Sequence, residues 1–244
     1  MKKLKDVLAF LQKRSSKRGY TCDACGREVF DYPNKRLCAV CENTLFFNDK
    51  TTCDKCGRET VTQGLCLGCK SRPPVYTKGV SPLVYDGDTP ALINRFKNGN
   101  VRLGYYLGEL MAIAVMTKIP KAEKLFILSV PTTKQRLYER GFDQAQMLAR
   151  VLFDILKDNA YDVETVDFLQ ANDTPAQKHL TYAERLKSVQ KRYRLQKRGS
   201  CKDKTFLLVD DILTSGATGN ACATLLFQDG AKAVYFVAAA SSMS

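Results

Sequence analysis

The sequence predicts an α/β protein with a mainly parallel sheet, preceded by a cysteine-rich module. Three observations support this prediction. Eight of the ten cysteines form four CxxC pairs in the first third of the chain. Beyond residue 80, apolar strand patterns alternate with helical patterns, as in sheets that are covered on both faces. The length of 244 residues is sufficient for one full core and a smaller second unit.

Composition and charge narrow the class of protein. The formal net charge is +13, and residues 1–80 carry an excess of +8 against +5 in the remainder. A basic surface of this kind attracts polyanions without specifying which one. No apolar run reaches the roughly 18 residues that span a bilayer, and the N-terminal MKKLKDVLAFLQKR lacks a cleavage site. We therefore expect a cytoplasmic protein that does not span the membrane.

The cysteine pairs predict structural zinc. They are Cys22/Cys25, Cys38/Cys41, Cys53/Cys56 and Cys66/Cys69. The segments TCDACGRE and TCDKCGRE nearly repeat each other, and each precedes a further pair. Two CxxC turns supply the four thiolates of a closed tetrahedral site, so we expect two structural Zn²⁺ ions; a redox dithiol is the alternative. The short loops favour sequential sites, although a cross-braced pairing stays open. Cys201 and Cys222 stand outside this scheme, and we expect Cys222 to be a buried thiol.

Two further patterns set the expected domains. Apolar residues at helical spacing within residues 4–11 predict a short N-terminal helix. The segment SRPPVYTKG, residues 71–79, contains two prolines that disfavour a helix, and we place the domain boundary there. The expected domains are therefore a zinc module of residues 1–75 and an α/β domain of residues 76–244.

Strands and helices alternate after this boundary. Strands are predicted at VSPLVYD, LFILSVP, FLLVDD and AVYFVAAA. Helices are predicted at VRLGYYLGELMAIAVM, after Asp143, whose side chain can cap the helix, and after the turn at residues 214–218. Ligands of parallel sheets bind at the carboxyl ends of the strands. Residues 129–134 and 210–211 are therefore the candidate site segments.

The segment FLLVDDILTSGATGN combines two features of a ligand site. Asp210 and Asp211 follow an apolar strand, and residues 214–218 form a small, hydroxyl-rich turn at the start of a helix. Backbone N–H groups and the positive end of the helix dipole make such a turn suitable for phosphate. The acids would repel a bare phosphate, so the ligand must also offer hydroxyl groups or a metal ion. A ribose 5-phosphate fits, with Mg²⁺ if it carries a pyrophosphate; an acid pair that binds only metal is the alternative.

Several segments carry a resemblance to known families. LLVDDILTSGAT resembles the phosphoribosyl-pyrophosphate (PRPP) binding motif of type I phosphoribosyltransferases. VYDGDTPALINRFKNGN, VPTTKQRLYERGFDQAQMLA and TPAQKHLTYAERLKSVQKRY resemble the corresponding segments of the ComF family of competence proteins, of the ComFC-like kind with an N-terminal zinc finger. The resemblance covers essentially the whole chain. Gln170 and Ser188 depart from it, where arginine and asparagine are usual.

The resemblance implies a type I phosphoribosyltransferase-like fold and roles for individual residues. Asp210 and Asp211 would stabilise the positive charge that develops on the ribose, which makes them the catalytic candidates. The 5-phosphate would contact Thr214, Ser215, Gly216, Ala217 and Thr218. The pyrophosphate would contact Lys97, Pro131, Thr132, Thr133, Lys134 and Arg140. No segment indicates an acceptor, and His179, the only histidine, is a weak candidate for an acid or base.

A basic stretch predicts binding of single-stranded nucleic acid. Residues 178–204 contain ten Lys or Arg against two acids, with Tyr182 and Tyr193 interleaved. Basic side chains can follow a nucleic-acid backbone while aromatic rings stack on bases. The candidate contacts are Lys187, Lys191, Arg192, Arg194, Lys197 and Arg198. The alternative is a solvated helix face with an adjoining loop.

The ComF resemblance also implies a cellular role. Such proteins assist natural transformation, together with a helicase-like competence ATPase that brings single-stranded DNA across the cytoplasmic membrane. We therefore expect a PRPP-binding and single-stranded DNA-binding protein in the cytoplasm, acting at the inner face of that membrane. The alternatives are an active phosphoribosyltransferase with an unidentified acceptor and a scaffold with a vestigial pocket.

Overall fold

A computed structural model describes residues 21–31, 34–172 and 192–242. The helix predicted within residues 4–11 lies outside the described residues, as do His179, Lys187 and Lys191. The chain divides into two compact units, Met1–Leu45 and Phe46–Ser244. Each unit contains one cluster of four cysteines.

The first unit is built around a CxxC turn and a short helix. An antiparallel bridge joins Thr21 to Glu28 across the turn, and the backbone N–H of Gly26 donates to the carbonyl of Cys22 at 2.9 Å. Helix α1, Ala39–Asn43, follows Cys38 and carries the second half of the cysteine cluster. Among the described residues of this unit, the buried side chains are those of Cys22, Asp23, Val29, Leu37 and Leu45, so metal binding by the four cysteines would add to its order.

The second unit contains the sheet. Its helices are α2 Leu67–Ser71, α3 Thr89–Lys97, α4 Arg102–Lys118, α5 Lys134–Arg140, α6 Gln144–Asp158 and α7 Ala217–Gln228. The strands of the chain are β1 Leu45–Phe47, β2 Lys78–Val80, β3 Leu83–Gly87, β4 Leu125–Ser129, β5 Val163–Thr165, β6 Leu169–Ala171, β7 Tyr193–Leu195, β8 Thr205–Leu213 and β9 Ala233–Ser241.

The main sheet has seven strands in the order β1-β3-β9-β8-β4-β5, with β2 also paired to β9. The pairs β2/β9, β3/β9, β9/β8, β8/β4 and β4/β5 are all parallel. Strands β6 and β7 form a separate antiparallel ribbon. This architecture confirms the predicted α/β class with a mainly parallel sheet and a cysteine-rich module.

The predicted elements of the α/β domain occur with small shifts. The predicted long helix is α4, and the Asp143 side chain caps α6 by accepting from the backbone N–H of Gln146 at 2.9 Å. Strand β8 was expected to end at Asp211 but continues to Leu213, because β9 remains paired with it as far as Ser241. Among the described residues, no helix is long and apolar enough to cross a membrane.

The two faces of the sheet are covered differently. Helices α4 and α6 pack on one face, where α6 contacts β4 and β8. On the other face, Phe206, Leu208 and Phe236 belong to one buried cluster with residues of α7 and the β6–β7 ribbon. Four cysteines, Cys53, Cys56, Cys66 and Cys69, belong to that same buried cluster. The second compact unit, which begins at Phe46, thus includes the second set of four cysteines. The domain boundary at residue 75 stays a prediction.

Candidate functional site

A crevice opens between the carboxyl ends of β4 and β8. The chain leaves β4 through α5 and α6 towards β5, whereas it leaves β8 through α7 towards β9, so the two connections run in opposite directions. Ligands of open α/β sheets bind at such a switch point. Strand β4 ends at Ser129, opposite Val209, while β8 continues through Asp210 and Asp211. The extension of β8 beyond its neighbour therefore places the acid pair at the edge of the crevice.

The two adjacent acids have different surroundings. Burial, followed by the charge of Asp211, raises the pKa of Asp210 to about 8, although Lys97 and Arg136 act in the opposite direction. The Asp210 carboxylate accepts a hydrogen bond from the backbone N–H of Asp211 at 2.8 Å. The Asp211 carboxylate lies 3.0 Å from the Lys97 ammonium, and the two side chains are only 15% and 19% exposed. One acid thus holds a proton close to neutral pH, and the other forms a shielded ion pair.

Helix α3 positions Lys97 at the acid pair. Lys97 is the last residue of α3, and Asn98 caps the helix through its backbone N–H. The preceding Phe96 is fully buried, and its ring meets the Phe142 ring edge-on with 5.5 Å between the centroids. This aromatic contact holds the end of α3 beside the turn that follows α5. The lysine expected near the pyrophosphate therefore contacts an acid of the same site.

Helix α5 supplies two more cations. It begins after Thr133, whose hydroxyl accepts from the backbone N–H of Arg136 at 3.4 Å, and it ends at Gly141, which adopts a left-handed φ of 76°. Arg136 and Arg140 are four residues apart and share one helix face. Arg140 donates to the Gln144 side-chain oxygen at 2.8 Å, and Gln144 is itself 2% exposed. A buried amide thus orients the second arginine.

The cleft formed by these residues has a volume of about 240 Å³. The predicted site residues that line it are Lys97, Pro131, Thr132, Arg140, Asp210, Asp211, Thr214 and Thr218. The predicted residues outside its lining are Thr133, Lys134, Ser215, Gly216 and Ala217. Three further residues line the cleft although the sequence did not predict them as site residues: Arg136, Gln144 and Tyr193. The spacing of Arg136 from Arg140 was the signal that could have identified Arg136.

The 214–218 loop connects β8 to the start of α7. Gly216 has a left-handed φ of 73° and precedes Ala217, the first residue of the helix. The backbone N–H of Ala217 donates to the Ser215 hydroxyl at 3.3 Å, so the loop forms a compact turn. Thr214 and Thr218 line the cleft at the two ends of this turn. The loop thus brings hydroxyls and a helix N-terminus to the cleft, as a phosphate-binding turn requires.

Formal charges favour an anionic ligand that also offers hydroxyl groups. Among the residues that line the cleft, Lys97, Arg136 and Arg140 outnumber Asp210 and Asp211 by three to two. The cations suit phosphate oxygens, and the carboxylates can accept hydrogen bonds from hydroxyls. A ligand with both kinds of group can use the whole lining.

The Tyr193 side chain is in a different environment from the one that the sequence predicted. Its side chain is 6% exposed and belongs to the buried cluster under α7, so its ring cannot stack on a nucleic-acid base. Burial, followed by the charges of Cys222 and Asp210, raises the pKa of Tyr193 to about 12. The expectation of base stacking is therefore wrong for Tyr193, because alternation along β7 turns its ring inward.

The described part of the basic stretch is on the surface. Arg194, Lys197 and Arg198 are exposed, and Arg192 is half-buried. The Arg194 guanidinium donates to the Gln170 side-chain oxygen at 3.1 Å across the β6–β7 ribbon. Gln170, which departs from the family pattern, thus has a structural partner in this chain.

The cysteines form two groups in sequential order. The first cysteine cluster is Cys22, Cys25, Cys38 and Cys41, and the second is Cys53, Cys56, Cys66 and Cys69. Within each, the sulfur atoms lie within 4.8 Å of one another. The Sγ atoms of Cys25 and Cys38 are 3.7 Å apart, as are those of Cys56 and Cys66. A tetrahedron with Zn–S bonds of about 2.3 Å has edges of about 3.8 Å, so both groups fit a zinc ion.

Backbone donors lower the pKa of one thiol in each cluster, whereas burial raises the pKa of Cys41, Cys56 and Cys69. In the first cluster, a hydrogen bond from the backbone of Cys41 lowers the pKa of Cys38 to about 7. In the second, burial acts to raise the pKa of Cys53, but backbone donors of Cys56 and Cys66 outweigh it and lower the pKa to about 7. Cys201 and Cys222 lie apart from both clusters and are fully buried, as expected for Cys222.

A larger cleft, of about 440 Å³, lies at the amino ends of the same strands. Lys124 lines it, but its ammonium lies 2.7 Å from Glu164. Lys204 also lines it, but its ammonium donates to the backbone carbonyl of Ser200 at 2.7 Å. Two of its cations are therefore already partnered, and the cleft is on the opposite edge from the strand ends that bind ligands in parallel sheets. The smaller cleft is the better candidate.

Comparisons with known proteins identify distant relatives of the chain. No protein-family model matches the chain. The chain is 28% identical over 205 residues to the DNA utilization protein YhgH of Escherichia coli (strain K12). The aligned residues make up 81% of this chain and 87% of that protein. It is 28% identical over 175 residues to the protein of the same name from Salmonella typhi, which covers 69% and 74% respectively.

Proposed function

We propose that the chain binds PRPP with Mg²⁺ in the cleft and binds single-stranded DNA, and that it assists DNA uptake as a ComF-type protein. One observation carries the PRPP part. Asp210 and Asp211 lie at the end of β8, at the switch point of the sheet, between the 214–218 loop and three cations. A sugar phosphate with a second phosphate group matches this combination of carboxylates, loop and cations.

Each part of the lining has a role in this proposal. The carboxylates of Asp210 and Asp211 accept from the ribose hydroxyls, and residues 214–218 hold the 5-phosphate. The cations Lys97, Arg136 and Arg140 meet the pyrophosphate, for which Lys97 must leave Asp211. Bound Mg²⁺ would offset the charge of the pyrophosphate oxygens. The four thiolates of each cysteine cluster would hold a structural Zn²⁺ ion.

The DNA part rests on surface charge and on the relatives. The exposed side chains of Arg194, Lys197 and Arg198 can follow a phosphate backbone. The relatives in Escherichia coli and Salmonella typhi carry the name DNA utilization protein. We further propose that the protein acts in the cytoplasm, at the inner face of the membrane, with a helicase-like competence ATPase as its partner.

A second candidate function is phosphoribosyl transfer to an unidentified acceptor. The C1–O bond to pyrophosphate breaks with its electron pair on the leaving pyrophosphate, and an electron pair of the acceptor forms the new bond at C1. The Asp211 carboxylate, and Asp210 when it has lost its proton, would stabilise the positive charge on the ribose. The raised pKa of Asp210 favours this candidate, because an acid that titrates near neutral pH in a cleft is common at catalytic sites.

Calorimetric titration of PRPP with Mg²⁺ tests the first part. We expect the wild type to bind and the Asp210→Asn/Asp211→Asn variant to lose binding. Asp154→Asn/Asp158→Asn, which changes two exposed acids of α6, is the charge-matched control and should bind like the wild type. Absence of binding to the wild type would refute PRPP binding, and pyrophosphate release in an acceptor screen would identify the transferase.

Binding to an oligonucleotide at several salt concentrations tests the second part. We expect salt to weaken binding, and the Arg194→Ala/Lys197→Ala/Arg198→Ala variant to bind less tightly with a smaller salt slope. The control variant Arg95→Ala/Arg150→Ala/Lys157→Ala removes three exposed cations elsewhere. Binding that ignores salt, or that both variants reduce equally, would contradict the proposed contact surface.

A further inference from the structure

The second cysteine cluster lies in the same buried cluster as the residues beneath the 214–218 loop. Its four cysteines are between 1% and 6% exposed. Leu213, which precedes the loop, and Ala221 of α7 belong to the same buried cluster, as does Tyr76. Packing in protein interiors transmits displacements because it leaves few voids. A change at these cysteines can therefore reach the loop through Tyr76.

Tyr76 lies between the cysteine turn and the loop, and it reaches the cysteine turn through Gly79. It is 1% exposed, and its ring stacks on Phe236 with 5.4 Å between the centroids and 19° between the planes. A Cβ atom placed on Gly79 would lie 2.8 Å from the Cys56 carbonyl oxygen and 3.1 Å from the Tyr76 ring. A Cβ atom placed on Gly216 would lie 3.9 Å from the Tyr76 hydroxyl oxygen. Gly79 thus lies between the Cys56 backbone and the Tyr76 ring, and the tyrosine hydroxyl lies near Gly216 of the loop.

Phe236 continues this contact to α7. A Cβ atom placed on Gly219 would lie 2.8 Å from the Phe236 ring, so the first turn of α7 rests directly on that ring. The ring that stacks on Tyr76 therefore also supports the helix N-terminus. A Cβ atom at position 219 would therefore displace either α7 or the Phe236 ring.

Backbone hydrogen bonds hold the segment around Tyr76 on both sides. The backbone N–H of Val75 donates to the side-chain oxygen of Asn220 in α7. The backbone N–H of Thr77 donates to the carbonyl of Val234 in β9 at 2.7 Å. Asn220 in turn donates its own N–H to the carbonyl of Gly216 at 2.9 Å. The chain that leaves the second cysteine cluster is thereby fixed to the helix that begins at the loop.

We propose that the second cysteine cluster positions the 214–218 loop through Tyr76, so that metal binding by this cluster and ligand binding in the cleft are linked. The ligand part rests on the proposed PRPP function, whereas the positioning part does not. Tyr76 is absent from the described residues that line the cleft, so it acts through the loop and is a positioning residue. Linkage is reciprocal: a ligand held by the loop must strengthen metal retention by the same factor.

Amide hydrogen exchange of residues 212–221 tests the positioning part without any ligand. In the zinc-loaded full chain, we expect Tyr76→Leu to accelerate exchange there by at least about ten-fold, because the support under Gly216 is lost. Tyr76→Phe keeps the ring stack on Phe236 but removes the hydroxyl oxygen nearest Gly216, so its exchange should lie between that of the wild type and that of Tyr76→Leu. Leu152→Ala cuts an equally buried side chain in α6 and should leave this exchange unchanged. Exchange in Tyr76→Leu equal to that of the wild type would overturn the proposal.

Zinc release to a chelator tests the linkage. We expect PRPP with Mg²⁺ to slow release from the second cluster by about 5-fold or more in the wild type and to leave the first cluster unaffected. In Tyr76→Leu this protection should disappear, whereas Leu152→Ala should keep it. Protection that persists in Tyr76→Leu would overturn the linkage. If the wild type does not bind PRPP, the proposed function fails, and the exchange result alone decides whether Tyr76 positions the loop.

Discussion

The two cysteine clusters have nearly the same sequence but different surroundings. In the second cluster, all four cysteines are buried. In the first, Cys22 is buried, Cys25 is exposed, and Cys38 and Cys41 are half-buried. The turn itself is the same, because Gly26 and Gly57 have φ values of 78° and 72°.

The difference arises from what each turn packs against. The second turn lies on the sheet, where the Asn48 amide donates to the carbonyls of Gly57 at 2.7 Å and Ser81 at 3.0 Å. Among the described residues of the first unit, the buried apolar side chains besides Cys22 are Val29, Leu37 and Leu45. The motif therefore specifies a metal site in both places, while the surroundings decide whether that site also holds a core together.

The largest expected effect comes from removing one thiolate of each cluster. Cys69→Ser should lower the free energy of unfolding of the sheet by about 3–5 kcal/mol, because the metal site is part of its core. Thermal unfolding followed by circular dichroism measures this as a Tm lower by roughly 10 °C. Cys41→Ser is the matched control and should leave that transition unchanged while zinc content falls by one. Equal effects of the two variants would contradict the difference in surroundings.

A methyl group on each turn glycine should have the next largest effect. A Cβ atom at Gly57 would lie 2.2 Å from the carbonyl oxygen of Gly79, whereas no atom lies within 4 Å of one at Gly26. Gly57→Ala should therefore cost more than about 3 kcal/mol, and Gly26→Ala only the roughly 1–2 kcal/mol of a left-handed residue. Denaturant unfolding measures the cost of Gly57→Ala, and the zinc affinity of the first cluster measures the cost of Gly26→Ala. A small loss of stability in Gly57→Ala would mean that β2 can move away from the cysteine turn and relieve the contact with Gly79.

The second unit should also lose stability as the pH rises. Because the pKa of Asp210 is raised to about 8, the folded state retains a proton that the unfolded state releases near pH 4. The proton on Asp210 stabilises the folded state fully below pH 4, and this stabilisation is lost as the pH rises through 8. At pH 8–9, Asp210→Asn should be more stable than the wild type, with no difference below pH 4. Unfolding midpoints across this range measure the effect, and a constant difference would exclude this titration.

The smallest expected effect concerns the aspartate after the first cysteine of each turn. Asp23 is 4% exposed, and its carboxylate lies 3.6 Å from the Arg36 guanidinium. Asp54, at the same place in the second turn, is exposed. Asp23→Asn should cost about 1–3 kcal/mol and speed zinc release from the first cluster, because a buried charge loses its partner. Asp54→Asn should change the free energy of unfolding by less than about 0.5 kcal/mol. Similar zinc-release rates in both variants would show that the Arg36 contact contributes little.

The sequence by itself determined the features that depend on local spacing. Paired cysteines followed by glycine specify two metal sites, because a CxxCG turn brings two sulfurs together wherever it occurs. Alternation of apolar strands with helices specifies a parallel sheet, since parallel strands need crossover connections. The acid pair and the 214–218 loop were recognised for the same reason: they are contiguous in the chain. The predicted cap at Asp143 was equally local.

The tertiary structure alone decided which distant residues meet. Lys97 and Asp211 form an ion pair because α3 and β8 end at the same place, and no pattern within either segment reveals this. The inward orientation of Tyr193 depends on the ribbon that β7 forms with β6, and the burial of the second cysteine cluster depends on the sheet beneath it. Such outcomes follow from the packing of separate elements, which chain connectivity permits but local spacing does not encode.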